Sequence, residues 1–103
     1  MNKVTLITGP QGSGKSTKAR EIAGGRKSMY CYVDDFRDEQ NLIKEALRER
    51  PDADVIIIEG CNNISAVKYL YSLESIRVRS KYEASEREVA IPDLIITSQT
   101  LTA

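Results

Sequence analysis

The sequence contains no histidine, and only two of its 103 residues are cysteine. Without histidine, catalysis by a Ser–His or Cys–His pair is excluded, and a zinc enzyme is disfavoured because imidazole is a common zinc ligand. Cys31 and Cys61 stand too far apart in the sequence to form a paired-cysteine metal motif. Any acid–base chemistry in this chain must therefore depend on carboxylates.

Net charge and long apolar segments are also lacking. Fifteen basic residues balance fifteen acidic ones, so no global field attracts the chain to DNA or to an anionic membrane. The only local excess of positive charge comes from Arg77, Arg79 and Lys81. The sequence shows no secretion signal and no run long enough to span a bilayer. We therefore expect a cytoplasmic protein with thiol cysteines and no membrane partner, folded as a single domain over residues 1–103.

The most informative segment is VTLITGPQGSGKST, residues 4–17. It begins with a short β-branched apolar run at 4–8, which predicts a buried strand, and it continues into helix-compatible residues at 17–23. Between them lie residues 9–16, which we call the glycine-rich loop and which match G-x-x-x-x-G-K-[ST] at every fixed position. The order of strand, loop and helix is the context that this phosphate-binding motif requires, and it disfavours an ordinary turn before a helix.

The residue types in the loop fit phosphate chemistry. Its glycines allow a tight turn, partly at positive φ, so that successive N–H groups point into one concavity. The next helix directs its positive dipole end to the same place. Lys15 can reach the β- and γ-phosphates of a nucleotide, and the Ser16 hydroxyl can bind Mg²⁺. We expect the nucleotide to contact a continuous stretch: Gly9, Pro10, Gln11, Gly12, Ser13, Gly14, Lys15, Ser16 and Thr17.

The rest of the chain alternates strands and helices. The pattern predicts, in order, a strand at 29–33, a helix from about Asp38 to Arg50, a strand at 55–58, a helix at about 65–72 capped by Asn62 or Asn63, an edge strand at 75–81, a polar loop at 82–90 and a strand at 94–97. Such alternation predicts a three-layer α/β/α fold with a mostly parallel sheet of four or five strands. We expect the strand at 55–58 to lie beside the strand at 4–8.

In parallel sheets of this kind, ligands bind at the carboxyl ends of the strands. Four sets of polar residues follow predicted strands and should converge on one crevice: the glycine-rich loop, Asp34 with Asp35, Glu59, and residues 97–99. A carboxylate at such a position can instead be a helix cap or a solvated turn, and this alternative stays open for each of the three acids.

These features resemble the P-loop NTPases over essentially the whole chain. Glu59 at the end of its strand and the later Thr97-Ser98-Gln99 are similar to the Walker B and sensor-1 strands of the ATPase (ASCE) division, with an inserted strand between the two; that division includes AAA+ proteins and superfamily 3 helicases. The resemblance implies binding and hydrolysis of ATP, with Mg²⁺ held by Ser16 and Glu59. No N-K-x-D or D-x-x-G pattern follows the loop, which disfavours a Ras-like GTPase.

The sequence departs from that family in two respects. Its Walker B strand ends in one acid, Glu59, where two are usual; if Glu59 holds the metal, the attacking water must be oriented by Asp35 or Gln99, or hydrolysis is slow. We also expect neither the fifth strand of that family, which usually follows the sensor strand, nor a lid with a sensor-2 arginine. Arg77 or Arg79, supplied to a neighbour in a homo-oligomer or to a partner subunit, would replace that arginine. A solvated strand edge or contact with single-stranded nucleic acid is the alternative for both arginines.

Two other functions remain open. Asp34-Asp35-Phe36 and the later Ile57 to Gly60 also resemble uridine and nicotinamide-riboside kinases, in which an Asp would accept the proton of a substrate hydroxyl. Arg77, Arg79 and Lys81 would then be lid residues. The third possibility is a nucleotide-dependent binding module with negligible turnover, because Glu59 stands alone. We favour the ATPase because residues 97–99 suit a sensor strand, and because the chain has little room for a second substrate pocket and a lid.

Overall fold

The computed structural model describes residues 2–33 and 39–99. Its elements are, in order, β1 (Val4–Thr8), α1 (Lys15–Ala23), β2 (Ser28–Tyr32), α2 (Glu39–Glu49), β3 (Val55–Glu59), α3 (Ile64–Ser72), β4 (Ser75–Val78), β5 (Arg87–Ala90) and β6 (Asp93–Ser98); strands and helices alternate as predicted as far as β4. The expectations for Asp34, Asp35, Phe36 and Asp38 lie outside the described residues. The chain is an α/β protein, as expected from its sequence.

The main sheet has four parallel strands in the order β1-β6-β3-β2. In β6, Ile96 stands opposite Leu6 of β1, and Leu94 stands opposite Ile56 of β3. The two central strands are also the most apolar, and residues 55–58 and 94–96 are almost completely buried. Such uninterrupted apolar runs are typical of parallel strands that are covered on both faces.

The predicted contact between β3 and β1 is wrong, because β6 lies between them. β1 is only half-buried at each of its five positions, and it carries the polar residues Thr5 and Thr8. β6 is buried from Leu94 to Ser98. The hydrophobic effect therefore favours β6 for the interior position and β1 for the edge.

Helices cover both faces of the sheet. On one face, α1 packs Ala19 and Ala23 against alternate residues of the central strands: Val55, Ile57 and Ile95. On the other face, α2 and α3 bury their apolar sides against the opposite set: Ile56, Ile58, Leu94 and Ile96. Successive side chains of a strand point to opposite faces, so β3 and β6 contribute to both cores. Within the described chain, no helix is both long and apolar enough to cross a lipid bilayer.

The predicted edge strand at 75–81 does not extend the main sheet. β4 instead pairs antiparallel with β5 in a separate two-stranded sheet. Ile76 and Val78 are buried in the core on the α2 side, whereas Arg77 is exposed. The prediction of a loop throughout 82–90 is therefore wrong for its last four residues, where only Val89 is partly buried and the charged neighbours conceal the strand.

Asn63 caps the N-terminus of α3. Its side-chain oxygen accepts hydrogen bonds from the backbone N–H groups of Ser65 at 2.8 Å and Ala66 at 3.3 Å. The first N–H groups of a helix have no partner within the helix, so a capping oxygen stabilises them. Of the two adjacent asparagines that the sequence offered as caps, Asn63 has this role.

We expect Asn63→Ala to lower the free energy of unfolding by about 1 kcal/mol, since Ser65 and Ala66 lose their acceptor. Urea unfolding followed by circular dichroism measures the change. Asn63→Asp, which retains a capping oxygen, is the matched control and should remain close to wild type. An unfolding curve for Asn63→Ala that overlies the wild-type curve would contradict this role.

Candidate functional site

A cleft of about 750 Å³ lies at the carboxyl ends of the four parallel strands. It is lined by the glycine-rich loop after β1, by Tyr32 and Val33 after β2, by Glu59 and Gly60 at β3, and by residues 97–99 at β6. The structure thus brings together the sets of residues for which the sequence predicted a common crevice, apart from Asp34 and Asp35, which are outside the described residues. The chemical roles of all these residues stay predictions.

Six of the nine residues that were expected to contact a nucleotide line this cleft: Gln11, Gly12, Gly14, Lys15, Ser16 and Thr17. The other three contribute backbone contacts that shape the loop. The Gly9 N–H donates to the Ser98 carbonyl at 3.2 Å, and the Ser13 N–H donates to the Pro10 carbonyl at 3.2 Å. The loop is therefore closed on itself and attached to the end of β6.

The N-terminus of α1 faces this cleft, and the helix itself supplies no negatively charged side chain there. Gly14 occupies the N-cap position in the left-handed region, at φ 86° and ψ 21°, which favours glycine. No side chain caps the helix, and its first turn contains no acidic residue. Unpaired N–H groups and the positive end of the helix dipole together form a binding site for an anion.

The side chain of Lys15, near the end of the glycine-rich loop, folds back over the start of that loop. Its Nζ donates hydrogen bonds to the carbonyl oxygens of Gly9 and Pro10, both at 2.8 Å. Among the described residues lining the cleft, Lys15 is the only cation. An anion in the cleft would therefore interact mainly with the Lys15 ammonium group and the backbone N–H groups of the loop.

Glu59 presents a carboxylate on the other side of the cleft. Its Oε1 is buried and has no hydrogen-bond partner among the described residues. A buried carboxylate oxygen without a donor is costly, which points to a partner supplied by a ligand. Glu59 and Ser16 both line the cleft, and carboxylate and hydroxyl oxygens are ligands that Mg²⁺ prefers.

The described residues contain no group of three or more His, Cys, Asp or Glu side chains that could hold a metal ion by themselves. This arrangement fits Mg²⁺ better than zinc, because Mg²⁺ is commonly bound by one or two protein oxygens together with water and substrate phosphates. Ser16 and Glu59 therefore fit a magnesium ion that arrives with a phosphate ligand.

The end of β6 connects the two sides of the cleft. Thr97 Oγ1 accepts a hydrogen bond from the Gly60 N–H at 3.2 Å, and the Thr97 carbonyl accepts one from the Cys61 N–H at 2.9 Å. Gly60 has φ 80°, a value that favours glycine. Because Ser98 also holds Gly9, two consecutive residues of β6 fix both the glycine-rich loop and the turn after Glu59.

Sequence reasoning missed the role of Asn62. Its Oδ1 accepts hydrogen bonds from the Ser98 hydroxyl and from the Gln99 N–H, both at 2.8 Å. These contacts hold Gln99 at the cleft that contains Glu59. In the sequence, Asn62 and Asn63 both look like helix caps. The contact between Asn62 and Ser98, which are 36 residues apart in the chain, distinguishes them in the structure.

Two further residues near the cleft gave no signal in the sequence. Tyr32 lines it with 68% of its surface exposed. On the α1 face of the sheet, Arg20 Nε donates to the Tyr30 hydroxyl at 3.0 Å, and its guanidinium lies 5.6 Å from the ring centroid. The hydrogen bond with Tyr30, with a smaller attraction to Glu59, raises the pKa of Arg20.

Arg77 and Arg79 do not line this cleft. They line a second cleft of about 380 Å³, together with Lys44 and Arg48 of α2. Arg77 Nε lies 3.9 Å from Glu86 Oε2, and both side chains are largely exposed. The expectation that these arginines act on a neighbouring chain concerns an assembly, and it stays a prediction.

No protein-family model matches this chain, and no curated protein is significantly similar to it. The fold and the site therefore define its class by themselves. The chain is an α/β domain with a parallel sheet and a candidate anion-binding cleft at the carboxyl ends of its strands.

We expect Asn62→Ala to accelerate amide hydrogen exchange at Gln99, because the Gln99 N–H loses its acceptor. The free energy of unfolding should also fall by about 1–3 kcal/mol, since the buried Ser98 hydroxyl loses a partner. Exchange measured by NMR checks the first effect. Asn63→Ala is the matched control, and it should affect exchange at Ser65 and Ala66 instead. Equal exchange at Gln99 in both variants would exclude the positioning role of Asn62.

Proposed function

We propose that this chain binds ATP with Mg²⁺ and hydrolyses it, as a small ATPase of the P-loop type. The observation that carries the proposal is that Lys15, Ser16 and Glu59 line one cleft at the uncapped N-terminus of α1. The cleft volume of about 750 Å³ falls in the range of small-molecule sites, roughly 300–1,000 Å³.

The loop and the helix end would bind the phosphates. Backbone N–H groups at the start of α1 would donate to the β- and γ-phosphate oxygens, and Lys15 would exchange its two carbonyl acceptors for phosphate oxygens. Mg²⁺, held by Ser16 and Glu59, would neutralise charge on the phosphoryl oxygens. Because the loop already has its positive-φ glycines in place, little backbone ordering would accompany binding.

Hydrolysis requires a positioned water molecule. Its oxygen forms a bond to the γ-phosphorus while the bond to the bridging oxygen breaks, and ADP leaves with that electron pair. Where Ser16 alone holds the metal, Glu59 would orient this water and accept its proton; where Glu59 is a metal ligand, Gln99 would orient the water. Gln99, held by Asn62, lines the same cleft, and its side-chain amide supports this role. Asp35, the other acid considered from the sequence, lies outside the described residues.

Charge on the transferring phosphoryl group would be stabilised mainly by Lys15, the only cation among the described residues that line the cleft. An arginine from another chain commonly supplies the missing charge in such enzymes and is worth about 10³ to 10⁵ in rate. We therefore include a homo-oligomer or a partner subunit in the proposal, with Arg77 or Arg79 as the arginine to test.

A kinase is the second candidate, and one observation favours it. Tyr32 and Val33 at the end of β2 add an exposed surface to the cleft beside Glu59, where a small hydroxyl compound would have room. The lid role of Arg77 and Arg79 in this alternative has less support, since both line the second cleft. A binding module with negligible turnover is the third candidate, in which Glu59 acts only on the metal.

Lys15→Ala should abolish or strongly weaken ATP binding, because the phosphates lose their main cation. Isothermal titration calorimetry with MgATP measures this effect. The control is Lys18→Ala, which removes an exposed lysine of the same helix that does not line the cleft. Ser16→Ala should weaken binding mainly when Mg²⁺ is present. Equal affinities for wild type and Lys15→Ala would overturn the proposed site.

Glu59→Gln should keep ATP bound but reduce turnover by about a hundredfold or more, since an amide cannot accept the proton of the water. Phosphate release, measured alone and with a panel of nucleosides, provides the readout. Transfer of phosphate to a nucleoside would favour the kinase. Tight binding without release, in wild type and variant alike, would favour the binding module.

A further inference from the structure

We propose that the second cleft, between α2 and β4, binds single-stranded nucleic acid. We call it the basic groove and define it by Lys44 and Arg48 of α2 and by Arg77 and Arg79 at β4. The strand's phosphates would contact these four side chains, and a base would stack on the nearby Tyr82. The groove is separate from the candidate ATP site, so this proposal does not depend on ATP hydrolysis.

Charge is the first argument. The groove is lined by four basic residues and two acidic ones, Glu45 and Glu86, in a chain whose total charge is zero. Arg77 is only weakly paired, 3.9 Å from Glu86. No ion pair joins Lys44, Arg48 or Arg79 to another described residue. Within the described part of the chain, the lining of the groove therefore has two more positive than negative side chains.

The spacing of the cations is the second argument. Lys44 and Arg48 are four residues apart on α2, so they share one face of the helix. Arg77 and Arg79 are two residues apart in extended chain and so lie about 6.6 Å from each other along it. Successive phosphates of an extended nucleic-acid strand have a similar separation. Cations distributed along a helix and along a neighbouring segment of chain fit a linear polyanion better than a single phosphate, which would need donors converging on one point.

An exposed aromatic residue adjoins the groove. The Lys81 N–H donates to the carbonyl of Arg48 at 3.4 Å, and the Lys81 ammonium lies 5.4 Å from the ring centroid of Tyr82. Tyr82 is 77% exposed, the most exposed of the large hydrophobic side chains in the described chain. Aromatic rings beside a basic groove are the usual stacking platforms for unpaired bases.

These observations favour single-stranded nucleic acid over other anionic partners. A volume of about 380 Å³ accepts one or two nucleotides, but a duplex is too wide to enter. An acidic protein segment would use the four cations and would have no need for an exposed tyrosine. Basic side chains together with a stacking ring are the combination that proteins use for a chain of phosphates with bases.

The test is fluorescence anisotropy with labelled oligothymidylate and oligouridylate of 20 nucleotides and with a DNA duplex of the same length, without ATP. We expect both single strands to bind more tightly than the duplex, and the two arms distinguish DNA from RNA. With one or two nucleotides in the groove there are about two phosphate contacts, so the logarithm of the binding constant should fall with the logarithm of salt concentration with a slope of about −1.4.

Two sets of variants connect binding to the groove. Arg48→Ala/Arg79→Ala should weaken binding at least tenfold and reduce the salt slope, whereas the matched control Lys3→Ala/Lys18→Ala, which removes two exposed lysines outside the groove, should bind like wild type.

Tyr82→Ala should weaken binding about fivefold or more, and Tyr82→Phe should restore it because the ring is retained. Tyr71→Ala, at another exposed tyrosine, controls for general loss of aromatic surface. Circular dichroism checks that each variant is folded.

Three results would overturn the proposal. The first is the absence of binding to either single strand at low salt. The second is binding that both double variants reduce equally, which would indicate non-specific attraction. The third is unchanged oligonucleotide affinity in Arg77→Ala/Arg79→Ala together with lost ATPase activity that is restored by mixing with Lys15→Ala chains. That result would assign the arginines to the active site of a neighbouring chain.

Discussion

The site depends on one constraint: the end of β6 is hydrogen-bonded on both sides. Ser98 holds Gly9 at the start of the glycine-rich loop, and Thr97 holds the Gly60-Cys61 turn that follows Glu59. Adjacent strands lie about 4.8 Å apart, so one intervening strand separates β1 and β3 by about 10 Å. In the proposed function, a phosphate, a cation and a water molecule would occupy the space between the loop after β1 and Glu59 at the end of β3. The strand between them therefore determines the width of the site.

The structure also shows which features the sequence could predict. The glycine-rich loop and the alternation of strands and helices are local, because residue type alone specifies positive φ, helix start and buried strand. Strand order is not local: β1, β3 and β6 are all short apolar runs, and only their burial in the fold distinguishes the half-exposed edge from the centre. β5 was missed for a related reason: its pairing with β4 makes it a strand, while two of its own four residues are charged.

The same distinction applies to the residues of the candidate site. Lys15 and Ser16 were predictable because their positions follow from the loop motif itself. Asn62 was not, because its contacts with Ser98 and Gln99 span 36 and 37 residues. In the sequence, Lys44 and Arg48 belong only to the predicted helix from about Asp38 to Arg50. Their functional interest arises when the β4–β5 hairpin packs beside α2 and places Arg77 and Arg79 opposite them.

The two clefts share a structural connection through α2. β2, whose end lines the first cleft, precedes α2 in the chain, and α2 lines the second with Lys44 and Arg48. Ile43 and Leu47 anchor this helix, which is about 16 Å long, in the core below the sheet. If ATP and nucleic acid are coupled through it, linkage requires equal effects in both directions on binding. Nucleic acid that accelerates turnover without tightening ATP binding would instead act on the chemical step, through the position of Glu59, Gln99 or a neighbouring chain.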